Sequence, residues 1–398
     1  MNWSREEFVL RQLRLIAGRS DFMPSVDLVE RAFFEFSRQE EVATNRSDAL
    51  GNWEWSFSQA QRDGKLYRPW LDEEVQAAAG LPEKPRWPDG KQWALCLTHD
   101  VDVVSQWDRG FSVWRGVRNE LAGPSDRRRL ALRVARAAWR TVRNVFRTGD
   151  DPLWCYEKWL DVEAEHGFRS SFLVFPTAVR RRHRDDCYFR LDDPVKFDGQ
   201  RMTVAAMLRR MTERGWDVGV HGSCHTWNDA AMLEEQRREI EQAAGQPVVS
   251  TRQHYLRYSA GETPAVHAAA GLGVDSTVGW NRIIGFRAGT CFPWWCWDHA
   301  KQQSLPVLEV PMAIMDTSLF TCCLDYTEEQ GVAHCIELMD RVQAAGGCLT
   351  LNWHPNYVRE PLMWNTYRIL LAEAARRNPW CGTLRDLYEQ RLKLDQLS

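Results

Sequence analysis

Between Trp93 and Trp353, short apolar runs alternate with segments of helical period, and this alternation narrows the folds open to the chain. Strand-like runs are Trp93 to Thr98, Ser170 to Phe175, Trp216 to Val220, Val248 to Gln253, Val307 to Val310 and Gly347 to Trp353. Helix-like runs lie between them, at Trp154 to His166, Val204 to Arg214, Ala230 to Ala244, Thr263 to Ala270 and Glu328 to Ala345. Parallel neighbours need a crossover, so strands and helices in alternation argue for a parallel α/β fold. A (β/α) barrel is the natural closed form, with its site at the C-terminal ends of the strands. Residues 1–90 are expected to form a mostly helical N-terminal extension. Glu6 to Ile16 and Val26 to Phe36 there carry apolar residues at three- and four-residue spacing. The Pro-rich segment Leu81 to Gly90 sets the boundary, leaving 91–398 for the barrel.

Charge and cysteine usage exclude several classes. With 51 Lys and Arg against 54 Asp and Glu, the net charge is −3, which argues against a nucleic-acid binder. No run approaches the roughly 18 apolar residues of a membrane span, and the charged first twenty residues lack the apolar core of a signal peptide. The 11 cysteines include no C-x-x-C pair, which disfavours a structural zinc module and suits a reducing compartment. The expected location is cytoplasmic. One segment points to a surface: a basic insertion at about 105–150 has arginine at 127, 128, 129, 133, 136, 140, 143 and 147, and no acid from Arg127 to Arg147. Ala135, Trp139, Val142 and Phe146 fall on a stripe beside the arginines. Such a helix suits an anionic membrane surface, here the inner face. A helix packed on its own domain through the Trp139 stripe has the same pattern.

Polar clusters stand at four predicted strand ends. Thr98-His-Asp-Val-Asp102 places Asp100 and Asp102 two residues apart, hence on one face of a strand. His221-Gly-Ser-Cys-His225 follows the next cluster's strand, and two imidazoles at this spacing can reach one metal; with a carboxylate they make a three-ligand set with a position left open. Arg252-Gln-His254-Tyr255 supplies an arginine that, if buried, needs a carboxylate, and Asp100 is the candidate. His354 closes the last predicted strand. Each motif alone is weak: an Asp pair also caps helices, and single histidines commonly serve packing.

Together the clusters resemble, in chain order, the polysaccharide deacetylases (carbohydrate esterase family 4). That family's first motif is T-F-D-D-G, its second H-S/T-x-x-H, its third begins R-P-P-Y, and its fifth is an apolar strand ending L-x-H. The resemblance covers about residues 93–360. It implies a distorted (β/α) barrel and a divalent metal, with zinc the expected ion, held by Asp102, His221 and His225. It implies Asp100 as catalytic base, oriented by Arg252; His354 as general acid; and the Tyr255 backbone N–H as an oxyanion donor. The chain departs from the pattern in its D-V-D, which puts Asp102 on a loop one residue longer, and in Gln253 and His254 where the family has prolines. His254 is therefore an added polar contact to substrate. The fourth motif falls in the Trp-rich stretch from Gly279 to Asp298, where Arg287, Trp294 and Trp295 are candidate substrate contacts, an indole face being a platform for a sugar ring as well as core material.

The implied activity is removal of acetyl groups from an acetylated sugar, glycolipid or polysaccharide precursor. Two alternatives stay open: hydrolysis of a cyclic amide on the same fold, and a catalytically silent glycan- or metal-binding module. Retention of both a base and an acid argues against the silent module, because binding needs neither.

Overall fold

The computed structural model describes residues 3–44, 46–48, 51–79, 87–106, 131, 134–135, 138–139, 142, 149–183 and 185–397. Among them, ten strands form one sheet. In chain order the strands are β1 (Ala94–Val101), β2 (Ser170–Val174), β3 (Pro194–Phe197), β4 (Gln200–Thr203), β5 (Asp217–Gly222), β6 (Ser250–Gln253), β7 (Val274–Asp275), β8 (Trp294–Asp298), β9 (Gln303–Glu309), β10 (Ile314–Met315), β11 (Cys348–Asn352) and β12 (Trp380–Cys381). The sheet order is β10-β11-β1-β2-β5-β6-β7-β9-β8, with β12 also on β1; β3 and β4 form a separate hairpin. Every pairing in the large sheet is parallel except β8 with β9. β2 takes the Leu97 to Val101 half of one edge of β1, and β12 takes Ala94 and Leu95. The sheet is the curled parallel half-barrel expected from the alternation.

The helices start and stop where local chemistry requires. Ser4 and Ser25 cap Arg5–Ala17 and Val26–Phe36 by accepting from the Glu7 and Leu28 N–H groups. Thr327 and Gln330 make a capping box at the start of Glu328–Ala345, and that helix ends on Gly346 in the left-handed region, φ 75°.

The N-terminal helices and the barrel share one hydrophobic core. Phe8 and Phe33 pack on Trp297 at centroid distances of 5.1 and 5.2 Å, and Phe36 lies 6.0 Å from Trp294. Each such buried phenyl contributes roughly 1.5–3 kcal/mol. Polar ties add to this. Asp72 accepts from Thr290 Oγ1 at 2.6 Å and the Cys291 N–H at 2.8 Å. Of the boundary segment, 81–86 lies outside the described residues. So do the eight arginines from Arg127 to Arg147, whereas Trp139 and Val142 are helical and exposed. No helix of the described residues is long and apolar enough to cross a membrane, and the cysteines form no disulfide.

Candidate metal and acid–base site

Three strand ends carry polar residues two apart, and the period of a strand sorts them into two rows. The lower row is Asp100, Arg252 and Asn352. Asp100 Oδ1 accepts from Arg252 Nη1 at 2.8 Å, and its Oδ2 accepts from Asn352 Nδ2 at 2.8 Å. Arg252 is itself fixed by the Ser276 carbonyl at 2.7 Å and Ser276 Oγ at 2.9 Å. All three are buried. Burial opposes ionisation of Asp100, but the Arg252 guanidinium outweighs it and holds the carboxyl below the usual carboxylate range. Their chain neighbours His99 and Gln253 face the other way, into the helical layer. His99 contacts Glu163 Oε1 at 2.7 Å, and Gln253 contacts His267 Nε2 at 2.8 Å.

The upper row is Asp102, His254 and His354, one pleat further along the same chains, joined by His221 from the end of β5. Asp102 Oδ1 lies 3.4 Å from His221 Nε2 and 3.8 Å from His254 Nε2, while Asp102 Oδ2 lies 3.7 Å from His354 Nε2. Burial opposes charge on Asp102 also, yet the surrounding imidazoles hold it well below its ordinary value. His354 is gripped twice by Asp316, at the C-terminal end of β10. Its backbone N–H donates to Oδ2 and its Nδ1 meets Oδ1, both at 2.7 Å. Burial lowers the His354 pKa, but Asp316, then Asp102 and Asp100, raise it to about 10. The imidazolium is therefore the favoured form.

The tautomer of His221 tests whether a cation fits. Its Nδ1 lies 2.9 Å from the Arg252 carbonyl, an acceptor, so Nδ1 carries the proton. A neutral ring then aims the Nε2 lone pair at the Asp102 carboxylate, and two acceptors at 3.4 Å are stable only with a cation between them. A proton meets that need, and so does a metal ion. Among the described residues, Asp102, Cys187 and His254 also form a group with donor atoms within 4.8 Å of one another. Those three donors are close enough together to fit a divalent ion, with His221 beside Asp102.

No protein-family model matches the chain, and no curated protein matches it. Solved structures do. A protein described as a polysaccharide deacetylase of Mycobacterium smegmatis superposes with a TM-score of 0.50 at 17% identity, covering 80% of this chain and 96% of that one. An allantoinase gives 0.49 at 12% identity (78% and 94% covered), and a protein described as a polysaccharide deacetylase of Pseudomonas aeruginosa gives 0.47 at 14% (78% and 95%). The fold is that of the polysaccharide deacetylases.

On this deacetylase-type barrel, several expected residues are placed elsewhere. His225 does not join Asp102, whose ion-pair contacts among the described residues are His221, His254 and His354. The chain leaves β5 at Gly222 and turns into the short helix Thr226–Asn228, which carries His225 outward to lie 5.5 Å from the His183 ring. His254 reaches the ion-pair cluster instead, as a member of the upper row and not as an outlying substrate contact. Arg287, expected to touch substrate, is buried in a two-point pair with Glu41 of the N-terminal extension, Nε–Oε1 2.9 Å and Nη2–Oε2 2.6 Å. Trp294 and Trp295 are fully buried, their indole N–H groups donating to the Phe36 carbonyl at 2.9 Å and Asp395 at 2.6 Å. Neither offers a face to a sugar. Tyr255 is half-exposed beside His254, at φ 60° in the left-handed region, and Asn52 Nδ2 donates to its carbonyl at 2.8 Å. That turn swings the chain out of β6 directly after His254. Asn352, Asp316 and Cys187 went unnoticed in the sequence. The two-residue period that paired Asp100 with Asp102 would have paired Asn352 with His354; nothing local marks Asp316 or Cys187.

Proposed function

We propose that the chain is a metal-dependent hydrolase that removes acetyl groups from an acetylated sugar, glycolipid or polysaccharide precursor. The observation that carries this reading is the two-row arrangement. A carboxylate held by Arg252 lies one row below the Asp102–His221–His254 cluster, and an imidazolium held by Asp316 lies beside Asp102, its Nε2 3.7 Å from Oδ2. Asp102 and His254, with His221 Nε2 at 3.4 Å from Asp102, would hold a divalent ion, zinc being the natural choice for nitrogen and oxygen donors. That ion supplies Lewis acidity to the acyl carbonyl and to a water.

The chain's own residues do the rest. Asp100 accepts the proton of the attacking water, its own geometry fixed by Arg252 and Asn352. The Tyr255 N–H stands as oxyanion donor, a role worth ~3 kcal/mol per donor. His354 then protonates the leaving amine or alkoxide through Nε2, while Asp316 keeps the proton on Nδ1 and the ring in place. The cytoplasmic location and the contact of the Arg127–Arg147 segment with an anionic membrane belong to the same proposal: a lipid-linked glycan would be met at that surface.

The test is acetate release from a panel of N- and O-acetylated sugars, nucleotide sugars and glycolipids, with the metal-loaded protein and again after a chelator. Release that a chelator abolishes and zinc restores supports the proposal. Release indifferent to the chelator, or none across the panel, overturns it.

A further inference from the structure

Cys187 belongs to the loop that follows β2, and nothing in the proposed reaction uses it. The loop is strapped in place: Asp186 Oδ1 accepts the Cys224 N–H at 2.9 Å and Oδ2 accepts the His183 N–H at 2.6 Å. The strap delivers a buried thiol into the polar cluster, with Sγ 3.6 Å from Asp102 Oδ1 and 3.8 Å from His254 Nε2. His254 is set from its far side by Asp186 Oδ1, 3.8 Å from Nδ1, and by Cys224 Sγ at 3.7 Å. An acceptor there favours the proton on Nδ1 and turns the Nε2 lone pair toward Asp102 and Cys187.

We infer that Cys187 is a thiolate donor to the cation, together with Asp102 and His254. This rests on the metal reading above. A tetrahedral ion with bonds of about 2.0–2.1 Å to nitrogen and oxygen and about 2.3 Å to sulfur has sulfur edges of about 3.5 Å. The sulfur edges to Asp102 and His254 are 3.6 and 3.8 Å, and these three donors lie within 4.8 Å of one another, a group to which His221 does not belong. As the Sγ–metal bond forms, the thiol proton leaves to solvent and the sulfur lone pair enters the bond. With these three protein donors a fourth position would be left for the attacking water. A sulfur donor also turns the site away from magnesium and calcium.

Cobalt(II) loaded into the full chain is the probe, read by absorption. Wild-type protein should show the visible ligand-field bands together with near-ultraviolet sulfur-to-cobalt charge transfer. Cys187→Ser should lose the charge transfer and keep the ligand-field bands; Cys224→Ser should keep both. Ligand-field bands in the wild type without charge transfer would overturn the thiolate and leave the metal reading standing. Failure to take up cobalt at all would overturn both. If Cys187→Ser does not fold, the wild type answers by alkylation mapped with mass spectrometry: zinc should shield Cys187 from iodoacetamide, and equal labelling with and without zinc would reject the ligand.

Discussion

Two buried arginines, Arg252 and Arg287, each meet a carboxylate, yet one organises the candidate site and the other fastens the N-terminal extension. Arg252 binds Asp100 at 2.8 Å; Arg287 binds Glu41 through two nitrogens at 2.9 and 2.6 Å. Both pairs need each other, because a lone buried charge is expensive. The difference lies in what stands above them. Over the Arg252 pair rises a second row of titratable groups, with Asp102 a quarter exposed. Around Glu41 there is a second cation, Arg38, whose Nε donates to Oε1 at 2.9 Å, and then apolar core. A buried ion pair is thus no sign of function. A buried ion pair one pleat below further ionisable groups is.

The largest effects should come from the proposed base in the lower row and the proposed acid in the upper. Asp100→Asn and His354→Ala are each expected to lower turnover by roughly 10²–10⁴-fold, the usual range for general acid–base groups. Bound metal should be unchanged in both. The loss from His354→Ala should be greater on an N-acetyl sugar than on an activated aryl acetate, because an amine needs a proton to leave and an activated phenolate does not. Equal losses on the two substrates would remove His354 from the acid role, and a metal-free Asp100→Asn protein would make Asp100 a ligand.

On the other side of the comparison the cost should fall on stability. Burial opposes the Glu41 charge, but Arg287 and Arg38 outweigh it and hold its pKa down. Glu41→Ala strands the Arg287 guanidinium and leaves Arg38 with Glu35 alone, and should cost about 3–5 kcal/mol in denaturant unfolding. Turnover per folded molecule should be unchanged; a matching fall in turnover would bring the Arg287 pair into the site after all. Asp72, at the same interface, gives a smaller, pH-dependent effect. Burial raises its pKa to about 7, only partly offset by Thr290 and Cys291. A carboxyl whose folded pKa lies above its unfolded value stabilises the fold at low pH and loses that contribution as pH rises from about 4 to about 7. Between pH 5 and 8 the wild type should lose about 2–3 kcal/mol, as an upper bound. Asp72→Asn can still accept from the Cys291 N–H and donate to Thr290, so its profile should be flat. A variant with the wild-type slope would place the titration elsewhere.

How much of this the sequence disclosed follows from which interactions are local. Val26–Phe36, Ala230–Ala244 and Glu328–Ala345 end where their sequences say they do, since periodicity and caps are read within a few residues. The two-residue strands β7, β10 and β12 carry no period to read, and Trp294–Asp298 resembles a sugar platform until Phe33 and Phe36 of the N-terminal extension are seen to cover it. At the site, Asp100, Asp102, Arg252 and His354 were legible because each stands at the end of an apolar strand. The pairing of Arg252 with Asp100 followed from charge alone. Asp316 was not legible: its role depends on β10 pairing beside β11, a contact 38 residues away along the chain. His225 misled for the converse reason, since i,i+4 spacing places two imidazoles together only if the turn between them is helical. Here Ser223 and Cys224 turn the backbone otherwise.

The smallest expected effect is therefore also the most discriminating. His225→Ala should leave zinc affinity unchanged, whereas His254→Ala should weaken it by more than the ~10–100-fold that loss of an outer partner costs. The reason is positional. His254 stands two residues beyond Arg252, directly past the end of β6, and its imidazole faces Asp102 while the Arg252 guanidinium faces Asp100. His225 has no such placement; it is partly exposed, and burial followed by nearby Arg181 and Arg257 lowers its pKa. Titration of both variants with zinc against a competing chromophoric chelator gives the two affinities directly. A loss in His225→Ala as large as in His254→Ala would mean that the loop after β5 closes over the ion when metal binds, and would return the second-motif pair to the ligand set.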